Sequence, residues 1–106
     1  LTHTGPVSGD LVIGFWAAEA PTGEAFTDDT DTTNGSWSTS TSDFGTSGGT
    51  STGNVRGQMQ YKIVTATGTQ TWNTSGNNRD YRNLLVAFEP GAAGSTPKHS
   101  CGILLG

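Results

Sequence analysis

The chain has 106 residues, of which 31% are hydrophobic and 13% charged, the latter well below the roughly 25% of an ordinary soluble domain. That length accommodates one domain with a thin core, and three Trp, two Tyr and four Phe set it apart from a disordered polar chain. Nine acidic against five scattered basic residues leave a net charge of −4, which excludes an electrostatic footprint for nucleic acid, and no apolar run approaches the ~20 residues that span a bilayer.

Residues 1–7 contain the breaker Gly5-Pro6 and no periodicity, which predicts an extended N-terminal arm whose Leu1 and Val7 can lie on a neighbouring subunit. The start at Leu1 rather than Met predicts a processed form or the ordered part of something longer, and these residues lack the regions of a signal peptide. Residues 11–18 read as one strand between the turn residues Ser8-Gly9-Asp10 and Pro21. Leu11, Ile13, Phe15 and Ala17 share one face, Val12, Gly14, Trp16 and Ala18 the other. Both faces are apolar, so the strand belongs in the middle of a sandwich or has one face against another subunit.

Residues 22–53 are rich in Thr, Ser, Gly and Asp, with a short strand predicted around Trp37 over residues 35–41 and a surface loop over 46–53. Residues 54–67 alternate cleanly. Val55, Gly57, Met59, Tyr61 and Ile63 are expected in the core, and Arg56, Gln58, Gln60 and Lys62 in water. After a turn at residues 66–68, residues 69–75 are expected to return as the partner of a hairpin with Trp72 inward, and residues 76–79 to turn again. Residues 81–88 form a second buried strand, pairing near the first at the sheet centre. Residues 89–97 read as a loop and residues 98–106 as a C-terminal strand. No segment carries an apolar stripe at helical spacing, so the fold class is all-β, an antiparallel β-sandwich of jelly-roll or immunoglobulin-like type, in a single domain of residues 1–106.

Residue chemistry offers little for catalysis. Asp28, Asp29 and Asp31, with Asn34 and Asp43, form the acidic cluster and are the calcium candidates, although EF-hand spacing fails at Asn34 and Ser40; a solvated acidic loop is the simpler expectation. His99 and Cys101 share a strand face, but nothing nearby orients the base a cysteine nucleophile needs. The single cysteine excludes an intrachain disulfide and a cysteine-rich zinc site. A glycosidase carboxylate pair drawn from Asp10, Glu19, Glu24 and Glu89 has no spacing to support it. Trp37, Phe44 and Trp72 can serve as a sugar-stacking platform or as packing. No cofactor and no catalytic set is expected.

Residues 8–16 (Ser-Gly-Asp-Leu-Val-Ile-Gly-Phe-Trp), Gly35-Ser36-Trp37, residues 59–66 (Met-Gln-Tyr-Lys-Ile-Val-Thr-Ala) with Trp72, and residues 83–88 (Asn-Leu-Leu-Val-Ala-Phe) occur in an order that resembles the small β-sandwich domains of tailed-bacteriophage virion proteins. There a Gly-Asp-Leu-Leu strand, a Gly-Trp motif, a Tyr-[Arg/Lys]-[Ile/Val]-Ala strand and a late hydrophobic strand recur in that order; here Gly-Ser-Trp replaces Gly-Trp and the third motif reads Tyr-Lys-Ile-Val. The resemblance covers residues 7–90 and implies a structural role in a virion, as head decoration, tail or fibre, with no catalytic residues to carry over. The expectation is a non-enzymatic virion protein, most of all a capsid decoration or surface protein. Its partners are expected to be other capsid or tail subunits and further copies of itself. The interface candidates are Leu1, Val7, Trp16, Trp37, Phe44, Ile103, Leu104 and Leu105. The alternative is a carbohydrate-binding or receptor-binding module on a tail, a fibre or a secreted protein, meeting a surface glycan.

Overall fold

A computed structural model of the chain describes residues 1–21, 26–41, 44–45, 54–76, 81–90 and 101–105, with backbone only for 44–45 and 101–105. The expected loops at 46–53 and 91–97, most of the turn at 76–79, and Glu24, Asp43 and His99 lie outside the described residues.

Among the described residues the chain is all-β and antiparallel. Nine strands are present: β1 (Thr2–His3), β2 (Leu11–Glu19), β3 (Phe26–Thr27), β4 (Phe44–Gly45), β5 (Val55–Ile63), β6 (Gln70–Thr71), β7 (Ser75–Gly76), β8 (Tyr81–Phe88) and β9 (Cys101–Leu105). The main sheet runs β4-β5-β2-β8-β9. Its central strand is β2, paired with β5 from Leu11↔Ile63 to Glu19↔Val55 and with β8 from Leu11↔Phe88 to Ala18↔Tyr81. The two most apolar segments thus lie side by side. A long apolar strand excludes water from its backbone bonds best when flanked on both edges.

Two short ladders, β1-β6 and β3-β7, and the segment 28–41 make the second layer. Between the layers lie Val12, Trp16 and Ala18 of β2, Leu85 and Ala87 of β8, and Val64, Trp37 and Trp72, all buried. Trp72 lies flat on Gly14, whose missing side chain leaves room for the ring. Trp37 tilts against Trp72 at 6.2 Å, and Phe26 meets Trp16 edge-on at 4.3 Å.

Three expectations about local structure are corrected. Residues 69–75 do not return along β5: β6 pairs with β1 and β7 with β3, because the chain crosses to the second layer so that Trp72 can reach Gly14. Residues 35–41 form no strand. A turn at Asn34-Gly35, both with positive φ, starts an extended run that hydrogen-bonds to the edge of β5 through Ser38 N–H to Tyr61 O (2.7 Å) and Thr41 N–H to Met59 O (2.9 Å). The third concerns where the extended N-terminal arm of residues 1–7 lies, which is on its own chain. The Leu1 ammonium donates to Trp72 O (2.9 Å), Trp72 N–H donates back to Leu1 O (2.8 Å), and the Leu1 side chain packs on the chain's own core.

Candidate functional site

The largest departure from the sequence pattern concerns β5. Arg56, Gln58, Gln60 and Lys62 are buried between the layers, whereas Tyr61 and Ile63 on the other face are 50% and 52% exposed. The strand is turned over relative to expectation. Each polar side chain meets a group from the polar second layer. Arg56 donates to Pro21 O (3.0 Å) and lies over the Phe26 ring; Gln58 donates to the Asp28 carboxylate. Gln60 accepts from Asp29 N–H (2.9 Å) and Trp72 Nε1 (3.0 Å) and donates to Asp29 O (3.0 Å) and Ser38 O (2.7 Å). Lys62 donates to Thr33 O (3.1 Å) with its ammonium 4.8 Å from the centre of the Trp37 ring. Residues 28–41 have too few apolar side chains to cover an apolar face but many carbonyl and carboxylate acceptors, and buried acceptors require donors. Four long donor-bearing side chains at period two, beside a Thr/Asp-rich segment, were the available signal.

The consequence is an apolar face with nothing of the described chain layered on it. Strand alternation and register arrange it in rows across β5, β2 and β8: Ile63, Leu11 and Phe88; Tyr61, Ile13 and Val86; Met59, Phe15 and Leu84; then Gly57, Ala17 and Arg82, with Val55 and Glu19 beyond. Phe88 is 43% and Val55 41% exposed, and the β2 members are half-buried. The first three rows are bulky and uncharged. In the fourth, Gly57 and Ala17 are small, and an open depression of about 480 Å³ lined by Ala17, Glu19, Val55 and Arg82, with Ala18 and Tyr81 behind them, marks that end.

Three of the eight expected interface residues stand elsewhere. Trp16 and Trp37 are in the core and Leu1 packs on it, so they serve the chain's own packing; Val7 is exposed at 45%. Phe44 lies in β4 and Ile103, Leu104 and Leu105 in β9, where side chains are not described. The burial of Trp37 and Trp72 also removes two members of the sugar-stacking platform.

Asp28, Asp29 and Asp31 are each engaged within the chain. Asp28 accepts from Ser40 N–H (3.0 Å) as well as Gln58, Asp29 accepts from Asp31 N–H and Asn73 N–H (both 2.7 Å), and Asp31 accepts from the N–H (3.1 Å) and hydroxyl (2.9 Å) of Thr33. Among the described residues no group of three His, Cys, Asp or Glu is placed to hold a metal. These carboxylates order a loop, as Asx turns do. Glu19 and Glu89 lie at opposite ends of the sheet, about 30 Å apart at ~3.3 Å per residue, far beyond a glycosidase pair. Asp10 is buried and accepts from Val7 N–H (2.9 Å) at the start of β2.

Two groups in this layer respond to pH. The N–H and then the hydroxyl of Thr33, with help from Lys62, hold the Asp31 carboxyl below its ordinary 3.8. Its contribution to stability is present above 3.8 and is lost as pH falls through the lower folded value. Burial pushes the Lys62 ammonium below its ordinary 10.5, against the pull of Asp31 and Asp29. The folded chain therefore releases this proton before the unfolded chain does, and stability rises with pH between the folded value and 10.5. Lys62→Met keeps the stem and removes the charge. Urea unfolding of this variant should show that rise abolished, with stability at pH 7 changed by no more than ~1 kcal/mol.

Among the described residues the fold is all-β and sandwich-like, with one face of the main sheet covered by the second layer and the other bearing half-exposed apolar side chains. No protein-family model, curated protein or solved structure matches the chain.

Proposed function

We propose that the chain is a non-enzymatic assembly module that works through subunit contacts made by the open face of its main sheet. The observation that carries this reading is the inversion of β5, which directs Tyr61 and Ile63 outward, onto the face they share with Phe88 of β8, while polar side chains fill the interior. A monomer with no use for that face would gain by the opposite arrangement, since apolar area removed from water stabilises by ~25 cal/mol per Å². Contiguous apolar area of several hundred Å² on a small protein marks an interaction surface.

The setting we propose is a bacteriophage virion, with capsid decoration or another surface position as the role. The resemblance of residues 7–90 to virion β-sandwich domains supports the setting, and the open face supports the mode of action. Added to phage heads stripped of their surface proteins, or to tail preparations, the chain should co-sediment and saturate at a fixed number of copies. A chain that stays in the supernatant at every concentration and also remains monomeric argues against the reading.

A further inference from the structure

The open face has a shape that determines how it can be filled. Its bulk is graded along β2, from the row of Ile63, Leu11 and Phe88 at one end to the hollow lined by Ala17, Val55 and Arg82 at the other. The three bulky rows carry no charge, so they offer no charge pattern for a foreign partner to read. Strands β5, β2, β8 and β9, of nine, nine, eight and five residues, at ~4.8 Å spacing and ~3.3 Å rise give a face of ~500 Å². Two such faces stacked bury ~1,000 Å², the area a specific interface between proteins has to clear. A short peptide would leave much of the face wet.

We infer that the face is covered by a second copy of this chain, sheet on sheet, about a twofold axis that crosses β2 at the level of Gly14. The inference rests on reading this face as an assembly contact. With the axis perpendicular to the strands and in the interface plane, β8 runs antiparallel over β8 of the other copy, and the rows pair first with fourth and second with third. Each first row enters the other copy's hollow, twice by symmetry, as an isologous contact requires. Arg82, the charged residue of the fourth row, then lies over the ring of Phe88 of the second copy, a favourable cation–π arrangement. The two sheets pack ~10 Å apart at about −30°, the ordinary geometry of an aligned β-sandwich.

The test is sedimentation of the wild-type chain from ~1 to ~100 μM beside Ile63→Asp and Phe88→Lys, each also assayed for binding to stripped particles. Both residues are about half exposed, at 52% and 43%, so each variant should keep the β-type circular dichroism of the wild type. The expected result is a wild-type dimer whose dissociation constant rises ~100-fold or more in either variant, since each substitution enters the contact twice, Ile63→Asp placing a charge against apolar surface and Phe88→Lys setting a lysine over Arg82 of the second copy. A wild-type chain that is monomeric throughout but binds particles, with binding lost in Ile63→Asp, overturns the second copy as occupant and leaves the assembly reading standing. A dimer indifferent to both substitutions overturns the inference by placing self-association on another surface. A monomer that also ignores particles overturns both.

Discussion

Gln60→Leu should be the most damaging single substitution in the protein, lowering stability by ~3–5 kcal/mol out of the ~5–15 typical of a domain. Sequence pattern alone treats the change as harmless, a polar residue exchanged on a solvated strand face. In the structure Gln60 is buried and joins three segments through four hydrogen bonds, to Asp29 N–H, Asp29 O, Trp72 Nε1 and Ser38 O. Leucine fills the volume and satisfies none of them. Each buried group left unpaired costs ~1–3 kcal/mol, and the added apolar burial offsets only part of the total. Thermal unfolding should show a fall of ~15–25 °C for a chain of this length. Tyr61→Ser, one residue along and on the other face, should change the monomer by less than ~1 kcal/mol. If Gln60→Leu behaves like Tyr61→Ser, the orientation of β5 is wrong and the open face with it.

Gly14→Ala should be nearly as severe, by ~3 kcal/mol or more. Alanine normally improves on glycine in a strand interior by ~0.5–1 kcal/mol, so the sign of the effect is diagnostic. Here a methyl group would be driven into Cδ2, Cε2 and Cε3 of Trp72. The ring has little freedom to move, being held by its bond to Gln60 (3.0 Å) and backed by Trp37. Overpacking against such a ring belongs at the upper end of its usual 1–3 kcal/mol range. A double-mutant cycle with Trp72→Phe should give a coupling of at least ~1 kcal/mol, because the smaller ring recovers part of the space. Additive effects would mean the two residues do not touch.

These two positions also mark where sequence reasoning stops. The strands at 11–18 and 81–88, their pairing, the inward Trp72 and the all-β class follow from period-two apolar runs bounded by Gly, Pro and Asp. Which face of β5 enters the core does not follow. Alternation specifies that two faces differ but not which one is covered, and the usual rule of apolar inward assumes an apolar second layer. The second layer here is built in large part by residues 26–41, whose carboxylates and carbonyls take the donors of Gln58, Gln60 and Lys62, while Arg56 reaches Pro21 O. The candidate surface was legible only in part. Leu11, Ile13, Phe15 and Ala17 are visible in the sequence as a second apolar face on β2, whereas Trp16, Trp37 and Leu1 resemble surface anchors until the fold assigns them to the core.

By itself the sequence determined the strand-forming segments and a supply of apolar side chains exceeding what one face of β2 can bury. Tertiary structure decided which of those side chains face outward, because burial of a strand face depends on the groups that close over it from distant parts of the chain. In this protein those groups are polar, so hydrogen-bond matching between layers, rather than hydrophobicity along the strand, determined the side on which Tyr61 and Ile63 emerge.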